Sequence, residues 1–449
     1  MIINTDVHTV SGRELHDDVP LSAKKLQEPS RDNPDPVNLI FNRQLKPGTA
    51  ADRFVLTERL LSRHLMLVGG IGSGKTNLFD LILRDLIPKL SKNDVMIIFD
   101  TKGDFQKEFY APGDIVISND STATGGAGPD YWNIINELED DGHLIENCIE
   151  ISNALFAESI KHSNESFFPK AAKDIVSAVL YHFAKVRGRI KVDNSVVSDC
   201  FKKNNLQEWL LALLGNYAQF ESMKCYIANN VPEQALGVIS EIQQVIRQVL
   251  IGNFAKKGTL SIRDLVRKKG GRKVFIEYDI GVGGMLTPIY SLLFDLAIKE
   301  ALCRAKSEGN VYFICDEFKL LPNLAHIDDA VNFGRSLGIK FMVGMQNVDQ
   351  IINAYNEHMA KNIFSGFLNQ IAFKVSDYST RQYVKERAGS NRKFTLARSV
   401  NAQPYLENAN VIEDWDMDAL EPGEAIVMLD GSEPFRFMFE EYKSGGQRV

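Results

Sequence analysis

A glycine-rich segment of nine residues carries the residue types that bind a phosphate chain. It comprises Gly69, Gly70, Ile71, Gly72, Ser73, Gly74, Lys75, Thr76 and Asn77. Glycines allow backbone N–H groups to curl around a phosphate, and a helix that begins there adds its positive end. Lys75 can reach the β- and γ-phosphates, and the Thr76 hydroxyl can ligate Mg²⁺. We therefore predict that these nine residues bind a nucleoside triphosphate.

The segment lies between an apolar run and an amphipathic stretch. Residues 65–68 are all apolar, as in a strand buried on both faces, and apolar residues recur at helical spacing from Gly74 onward. G-x-x-x-x-G-K-T between a strand and a helix is the context that separates a phosphate-binding loop, or P-loop, from a chance match. The alternative is a glycine-rich turn with an accidental Lys-Thr pair, and such a turn does not require these flanks.

Two aspartates follow predicted buried strands and are candidates to hold the metal ion. Asp100 follows residues 94–99, and Asp316 follows residues 311–315. Asp316 is the better candidate for the metal ligand because a second carboxylate, Glu317, is next to it. The first carboxylate would complete the Mg²⁺ shell, and the second would polarise the water that attacks the γ-phosphate. The alternative is a polar strand end that has no catalytic role.

Residues 100–104 contain two short patterns of GTP-hydrolysing proteins, D-x-x-G and T-K-x-D. A GTPase needs these patterns in separate loops, one for the γ-phosphate and one for the base, whereas here they overlap. The overlap disfavours guanine specificity, and we predict ATP as the nucleotide.

Two polar residues further along the chain are candidates to complete the site. Gln346 follows the apolar run 339–345, a position suited to sensing the γ-phosphate or orienting water. Arg335 is a candidate arginine finger. On spacing alone, each is more often an ordinary surface residue, because polar side chains are common on surfaces.

The wider pattern predicts an α/β fold, a RecA-like P-loop nucleotide-binding domain with an inserted all-helical domain. Strand and helix patterns alternate on both sides of residues 143–250, which indicates a parallel sheet, and almost only helical spacing occurs within that range. A chain of 449 residues is expected to form more than one domain. The predicted divisions are an extended arm (1–50), a first nucleotide-binding part (51–135), an all-helical domain (136–252), a second nucleotide-binding part (253–442) and a tail (443–449).

Composition narrows the class of protein. The five cysteines are scattered without a C-x-x-C pair, which favours a reducing cytoplasm and disfavours a zinc site or disulfide framework. No stretch approaches 18 uncharged apolar residues, so we expect no membrane-spanning helix.

The net charge of −7 does not indicate nucleic-acid binding, although a locally basic surface on an acidic protein is compatible with such binding. Four basic clusters occur, each more often a solvated face than a site: Arg187/Arg189/Lys191, Lys202/Lys203, Lys256/Lys257 and Arg267/Lys268/Lys269/Arg272/Lys273.

With these residues assembled, the chain resembles the TraG/TraD-type coupling ATPases of conjugation and type IV secretion, relatives of the FtsK/HerA translocases. The resemblance covers roughly residues 50–442. The matching features occur in the family's order: Gly-Ser-Gly-Lys-Thr at 72–76, Asp-Thr-Lys-Gly-Asp at 100–104, Trp132-Asn133, Asp-Glu-Phe with Leu-Pro-x-Leu at 316–324, Gly-Arg-x-x-Gly-Ile and Gln at 334–346, Asp377-x-x-Thr380, and Leu-Glu-Pro-Gly-Glu at 420–424.

The resemblance implies a role for each candidate. Lys75 and Thr76 would bind the triphosphate and Mg²⁺, and Asp316 and Glu317 would form the acidic pair of the site. Arg335 would act in trans on a neighbouring subunit, and Gln346 would couple hydrolysis to movement. The leading hypothesis is an ATP-driven DNA-translocating motor that works as a ring, as a hexamer, with sequence-independent DNA contacts.

The resemblance also suggests partners and leaves alternatives open. Coupling proteins usually carry N-terminal membrane helices, so a chain without them is expected to be cytoplasmic, either recruited to the inner face of the membrane by a partner or used in a cytosolic process. A relaxase or a secretion-channel protein is the partner that the family suggests. One alternative is a motor that moves or remodels proteins with little dependence on DNA. Another is a nucleotide-gated assembly scaffold, which an intact Asp316-Glu317 pair disfavours.

Overall fold

A computed structural model describes residues 5–27, 37–44, 52–119, 130–139, 142–228, 230, 232–303, 308–397 and 405–444. The chain divides into two compact units. The first comprises residues 1–94, 305–319 and 328–449, and the second comprises residues 95–304 and 320–327. We call them the P-loop unit and the helical unit.

The described strands are β1 (Thr5–Gly12), β2 (Asn38–Asn42), β3 (Arg53–Thr57), β4 (Leu65–Val68), β5 (Val95–Asp100), β6 (Ile115–Ile117), β7 (Arg272–Glu277), β8 (Val311–Cys315), β9 (Ile339–Met345), β10 (Asn369–Phe373), β11 (Ser390–Ala397), β12 (Tyr405–Asn410), β13 (Glu424–Met428) and β14 (Phe435–Met438). The described α-helices are α1 (Leu21–Leu26), α2 (Glu58–Leu61), α3 (Lys75–Leu86), α4 (Asp104–Phe109), α5 (Leu144–His162), α6 (Phe167–Val186), α7 (Asn194–Cys200), α8 (Leu206–Gly215), α9 (Pro232–Val249), α10 (Ile262–Lys268), α11 (Gly283–Leu302), α12 (Ile327–Phe333), α13 (Val348–Tyr355), α14 (Glu357–Gly366), α15 (Tyr378–Ala388) and α16 (Asp414–Asp418).

The P-loop unit is built on six strands in the order β14-β13-β10-β4-β9-β8. β10, β4, β9 and β8 run parallel to one another, and the β13–β14 hairpin extends the row with antiparallel strands. Every residue of β4, β8, β9 and β10 is buried, as expected for parallel strands covered on both faces. The predicted parallel α/β sheet is confirmed, and the P-loop strand β4 lies near its middle.

The helical unit contains three parallel strands in the order β5-β7-β6 and a group of helices. Between β6 and β7, every regular element of the described residues is helical, apart from one bridge between Trp132 and Leu260. The apolar residues that the helical spacing placed on one face of α9 are buried there: Val238, Ile242, Val245 and Val249. The helical character predicted for this part of the chain is thus observed, while the domain boundaries stay a prediction. None of the described helices is both long and apolar enough to cross a membrane.

The N-terminal residues differ from the predicted extended arm. In their described part, β1 pairs with β11, β2 pairs with β3, and α1 lies between them. Five prolines in 1–50 suggested an unpaired segment, but β2 alternates buried and exposed residues, and its Phe41 stacks on Phe54 with 5.1 Å between the ring centroids. This short alternating pattern was the available signal for a strand. Of the predicted tail, residues 445–449 lie outside the described part.

His64 is fully buried immediately before β4. Its Nδ1 accepts a hydrogen bond from the Phe341 backbone N–H at 3.0 Å, and its ring packs edge-on against Phe341 and Phe367. Burial lowers the pKa of this imidazole to about 3 because the charged form loses its hydration. His64 is therefore neutral in the folded protein, where the same nitrogen that accepts the hydrogen bond would have to take up the proton.

We expect acid to destabilise the P-loop unit through His64. The unfolded chain binds a proton below its ordinary pKa of 6.5, whereas the folded chain does so only near 3. Neutral His64 makes its full contribution to the free energy of unfolding above pH 6.5. That contribution falls by about 2 kcal/mol between pH 6.5 and 5. Urea unfolding between pH 7.5 and 5 should show this slope, and His64→Asn, which keeps an acceptor and tolerates the positive φ of 58°, should reduce it. Equal pH slopes in the two proteins would contradict the assignment.

Candidate nucleotide-binding site

The P-loop has a backbone that only glycine can follow at its key positions. The chain leaves β4 at Gly69, and α3 begins at Lys75. Gly74 caps the helix in the left-handed region with φ 114°, and Gly72 has φ 71°. A Cβ on Gly74 would lie 2.9 Å from the Cα of Gly423, so no side chain fits there. Glycine at these two positions permits the tight turn that a phosphate-binding loop requires.

Neighbouring segments of the P-loop unit hold the loop in place. The Gly70 N–H donates to the Lys374 carbonyl at 2.9 Å, just after β10. The Gly423 N–H, in the turn before β13, donates to the Ser73 carbonyl at 2.9 Å. Sequence reasoning identified neither Lys374 nor Gly423 as a contact of the loop. The Leu-Glu-Pro-Gly-Glu motif at 420–424 was the available signal, although it showed no partner.

Lys75 brings a positive charge to the loop. Its side chain is 8% exposed, and its Nζ donates to the carbonyls of Gly69 at 2.5 Å and of Gly70 at 3.0 Å. These bonds fix the ammonium at the point where the loop begins to turn. A bound phosphate chain would therefore meet a fixed cation.

Thr76 and Asp316, the two predicted metal ligands, lie together. The Thr76 hydroxyl donates to Oδ2 of Asp316 at 3.0 Å, and Asp316 is 9% exposed. β8 places Asp316 at its carboxyl end, two strands away from β4 in the sheet. A hydroxyl and a carboxylate oxygen are hard ligands of the kind that Mg²⁺ prefers.

The residues present fit a magnesium-bound triphosphate. Besides the hydroxyl–carboxylate pair, the hydroxyl of Ser73 is buried and has no hydrogen-bond partner among the described residues. A Cβ on Gly69 would lie 2.7 Å from that hydroxyl, so the glycine keeps the space around it open. An unsatisfied buried hydroxyl costs free energy that a ligand oxygen can recover.

Glu317 and Gln346 also lie together, as their predicted roles require. Gln346 Nε2 donates to Oε2 of Glu317 at 2.6 Å, and Lys319 Nζ lies 3.7 Å from Oε1. Glu317 is thus held by an amide on one oxygen and faces an ammonium on the other. Lys319 was missed by sequence reasoning, because a lysine two residues after Glu317 has no pattern that distinguishes it from a surface residue.

Arg335 does not join this cluster within its own chain. It is exposed on a short 3₁₀ helix, Gly334–Leu337, at the amino end of β9, whereas Gln346 follows the carboxyl end. A strand rises about 3.3 Å per residue, so the seven residues of β9 separate the two positions by roughly 23 Å. Phe333, two residues before the arginine, is 66% exposed. Arg335 therefore lies at the edge of the sheet opposite the P-loop.

Two residues predicted to bind the nucleotide have side chains turned away from it. Ile71 is 89% exposed at the tip of the loop, so only its backbone can contact a phosphate. The Asn77 side chain donates to the Glu440 carbonyl at 3.0 Å and accepts from the Tyr442 N–H at 2.7 Å. Its amide thus fastens the C-terminal segment to α3, and the nucleotide contact of Asn77 stays a prediction.

Asp100, the rival metal ligand, has a local structural role. Its carboxylate accepts the backbone N–H groups of Gly103 at 2.9 Å and Gln106 at 2.8 Å, so it closes the turn after β5 and starts α4. Burial raises the pKa of this carboxyl, while these backbone hydrogen bonds oppose the shift. The turn at 100–104 is explained by these bonds without a guanine-binding function.

Comparison with known sequences gives a consistent picture. The sequence profile of the type IV secretion-system coupling protein DNA-binding domain matches residues 53–402. The chain is 19% identical over 377 residues to coupling protein TraD of Escherichia coli strain K12, covering 80% of this chain and 48% of the relative. It is 25% identical over 143 residues to the coupling protein VirD4 of Bartonella quintana strain Toulouse, covering 29% of this chain and 22% of the relative. The chain spans about half the length, or less, of these curated relatives.

Solved structures agree with the fold. The unbound monoclinic form of the bacterial conjugative coupling protein TrwBdeltaN70 has a TM-score of 0.75 and 16% identity, covering 100% of this chain and 98% of that chain. TrwB in complex with ADP and Mg²⁺ has a TM-score of 0.73 and 16% identity, covering 100% and 97%. TrwB in complex with the non-hydrolysable ATP analogue ADPNP has a TM-score of 0.74 and 17% identity, with the same coverage. At these identities, the likeness shows a shared fold.

Proposed function

Because the chain belongs to the family of type IV secretion-system coupling proteins, defined by their DNA-binding domain, we propose that it is an ATP-hydrolysing motor that translocates DNA as a ring-shaped oligomer. The observation that carries the proposal is the pair of contacts at the ends of β8 and β9. Thr76 of the P-loop bonds to Asp316, and Glu317 bonds to Gln346. These contacts support the proposal, because ATP hydrolysis requires metal ligands next to a carboxylate that activates water.

The nucleotide is proposed to be ATP with Mg²⁺. Residues 69–76 would wrap the phosphates, and Lys75 would neutralise charge on the β- and γ-phosphates. Thr76 and Asp316 would hold Mg²⁺, which would supply positive charge to offset the charge that develops on the phosphates. The TrwB structures with ADP and Mg²⁺ and with the ATP analogue support this assignment, because they share this fold.

Glu317 is proposed as the residue that activates water. Its carboxylate would accept a hydrogen bond from the water in line with the γ-phosphate and take up its proton. Gln346 fixes the orientation of that carboxylate through the 2.6 Å bond. Gln346 directly follows β9, so a movement of Glu317 would move Gln346 and with it the end of that strand. This is how Gln346 would couple hydrolysis to movement.

The position of Arg335 supports the proposed ring. An arginine finger must reach the γ-phosphate, and this one lies at the opposite edge of the sheet from its own P-loop. It could therefore complete only the site of another copy of the chain. Phe333, close to it in sequence, offers an exposed apolar side chain for the contact between copies. We propose a hexamer in which each Arg335 acts on the neighbouring subunit, an arrangement that repeats one head-to-tail interface until it closes.

DNA is the proposed substrate, contacted mainly at its phosphates and without sequence preference. A relaxase or a secretion-channel protein is the proposed partner that delivers the DNA or receives it. The proposed place of action is the cytoplasm, with a partner recruiting the motor to the inner face of the membrane.

We expect DNA to stimulate ATP hydrolysis several-fold or more. The measurement is steady-state phosphate release with no DNA, single-stranded DNA or double-stranded DNA, each over a range of salt concentrations. Stimulation should decline steeply with salt because contacts to phosphates release counterions. Lys75→Ala supplies the background rate. If neither DNA stimulates hydrolysis at any salt concentration, the DNA-translocating proposal is wrong, and a motor that acts on proteins is favoured.

A further inference from the structure

The structure distinguishes among the four basic clusters of the sequence. Several of their cations form ion pairs with carboxylates of the helical unit: Lys202 with Asp199, Arg267 with Glu139 and Glu300, Lys268 with Asp264, and Lys273 with Asp114. These clusters behave as the solvated or paired faces that charge runs usually form. Two short segments, 187–191 and 256–257, differ from them.

No carboxylate among the described residues forms an ion pair with the five cations of these two segments, Arg187, Arg189, Lys191, Lys256 and Lys257. All five are exposed. Arg187 donates to the Ile135 carbonyl at 2.9 Å, which fixes the start of the first segment just after α6. The positive charges therefore lie on the surface of a chain whose net charge is −7. A local positive field on an acidic protein attracts anions of matching size.

A single buried amide brings the two segments together. Asn133 is 2% exposed, and its Nδ2 donates to the Val192 carbonyl at 3.1 Å and to the Gly258 carbonyl at 3.2 Å. These carbonyls follow the two basic segments directly. Because both accept from one nitrogen, their oxygens lie within about 6 Å of each other. The Trp132-Asn133 step noted in the sequence thus joins two basic segments into one surface.

A tyrosine adds a flat face to this surface. Tyr131 is half-buried, and the Lys256 Nζ lies 4.8 Å from its ring centroid and 3.2 Å from its hydroxyl. A Cβ on Gly258 would lie 1.9 Å from the Tyr131 carbonyl, so this close approach requires glycine. Two acidic residues adjoin these segments. Asp130 is bound to the N–H and hydroxyl of Thr259, and Asp193 is bound to the N–H and hydroxyl of Ser195. Aromatic rings beside cations are the elements with which proteins bind nucleic acid independently of sequence.

We propose that this surface, formed by residues 187–191 and 256–257 with Tyr131, binds the phosphate backbone of DNA. Phosphodiester groups match it because they present a regular series of single negative charges, and exposed cations that form no ion pair among the described residues can neutralise them directly. No arrangement of base-reading side chains is required. The inference rests on the proposed motor function and adds to it a location for the DNA on the helical unit.

The test measures binding of the full chain to mixed-sequence single- and double-stranded oligonucleotides. Binding is monitored by fluorescence anisotropy at several salt concentrations. Two variants each remove two cations, Arg189→Ala/Lys191→Ala and Lys256→Ala/Lys257→Ala. Each should weaken binding about tenfold or more near 0.1 M salt and reduce the slope of log affinity against log salt by about 1.8 on double-stranded DNA. The matched control, Lys202→Ala/Lys268→Ala, removes two paired cations and should keep the slope of the unaltered protein.

The outcomes separate this inference from the proposed function. Unchanged slopes in both test variants would overturn the surface, while the motor would stand if the unaltered protein still binds and responds to DNA. Failure of the unaltered protein to bind either oligonucleotide at low salt would overturn both. ATP hydrolysis without DNA should be unchanged in the test variants. Weak binding accompanied by loss of that basal rate would indicate damage to the fold and would also count against the surface.

Discussion

Replacing Glu317 with glutamine should stop ATP turnover while ATP binding stays intact. The amide has the shape of the carboxylate and can still accept the hydrogen bond from Gln346, so the arrangement at the ends of β8 and β9 is kept. It cannot take up a proton from water, and a positioned general base contributes about 10²- to 10⁴-fold to a rate. We expect a loss of this size in kcat, measured as phosphate release, with no large change in the Kd of a fluorescent ATP analogue.

The matched control for Glu317→Gln is Lys75→Ala. It removes the ammonium that Gly69 and Gly70 hold at the loop, so it should weaken nucleotide binding itself. Normal turnover in Glu317→Gln would show that another group activates the water. A simultaneous loss of ATP binding would show that Glu317 maintains the loop, and the assignment would then be wrong as well.

Replacing Arg335 with alanine should abolish ATP turnover, even though β9 separates this residue from Gln346 of the same chain by roughly 23 Å. An arginine finger contributes about 10³- to 10⁵-fold to kcat by offsetting charge in the transition state. Mixing Arg335→Ala subunits with Lys75→Ala subunits should restore activity. In an equimolar ring, about a quarter of the interfaces pair an intact P-loop with an intact Arg335, so recovery should approach that fraction.

Two controls sharpen the mixing experiment. Each variant alone must remain inactive after the same dilution and reassembly. Arg335→Lys should also remain strongly impaired, because an ammonium lacks the planar pair of donors that grips a phosphate. If affinity tags on the two subunits prove that mixed rings form and activity does not return, Arg335 does not act across a subunit boundary.

Much of the site could be predicted because its signals are local. The P-loop pattern, the apolar runs of β4, β8 and β9, and the acidic pair after β8 each lie within a few residues of sequence. The parallel arrangement places strand ends at one edge of the sheet, where Thr76 and Asp316 were expected to share a metal ion and are found in contact. The contact of Glu317 with Gln346 was not predicted. Local pattern and global fold agree here.

The contacts that were missed depend on the order of strands, which no local pattern fixes. Gly423 touches Gly74 only because β13 lies beside β10, and β10 lies beside β4. The hydrogen bond from the Asn77 side chain to the C-terminal segment was likewise not predicted. The Trp132-Asn133 step was recognised as a motif, but its function as a clamp for two distant segments required the hydrogen bonds of Asn133.

The position of β4 between β9 and β10 has a consequence for synthesis of the protein in the cell. The ribosome completes β4 at residue 68, whereas its two partners end at residues 345 and 373. Translation proceeds at about 5–20 residues per second, so both neighbouring strands are complete only on the order of 15 to 60 seconds after β4. During that interval the apolar side chains and unpaired backbone of β4 must be shielded by another protein, such as a chaperone. We therefore expect a nascent chain that stops short of residue 373 to be prone to aggregation and unable to retain ATP.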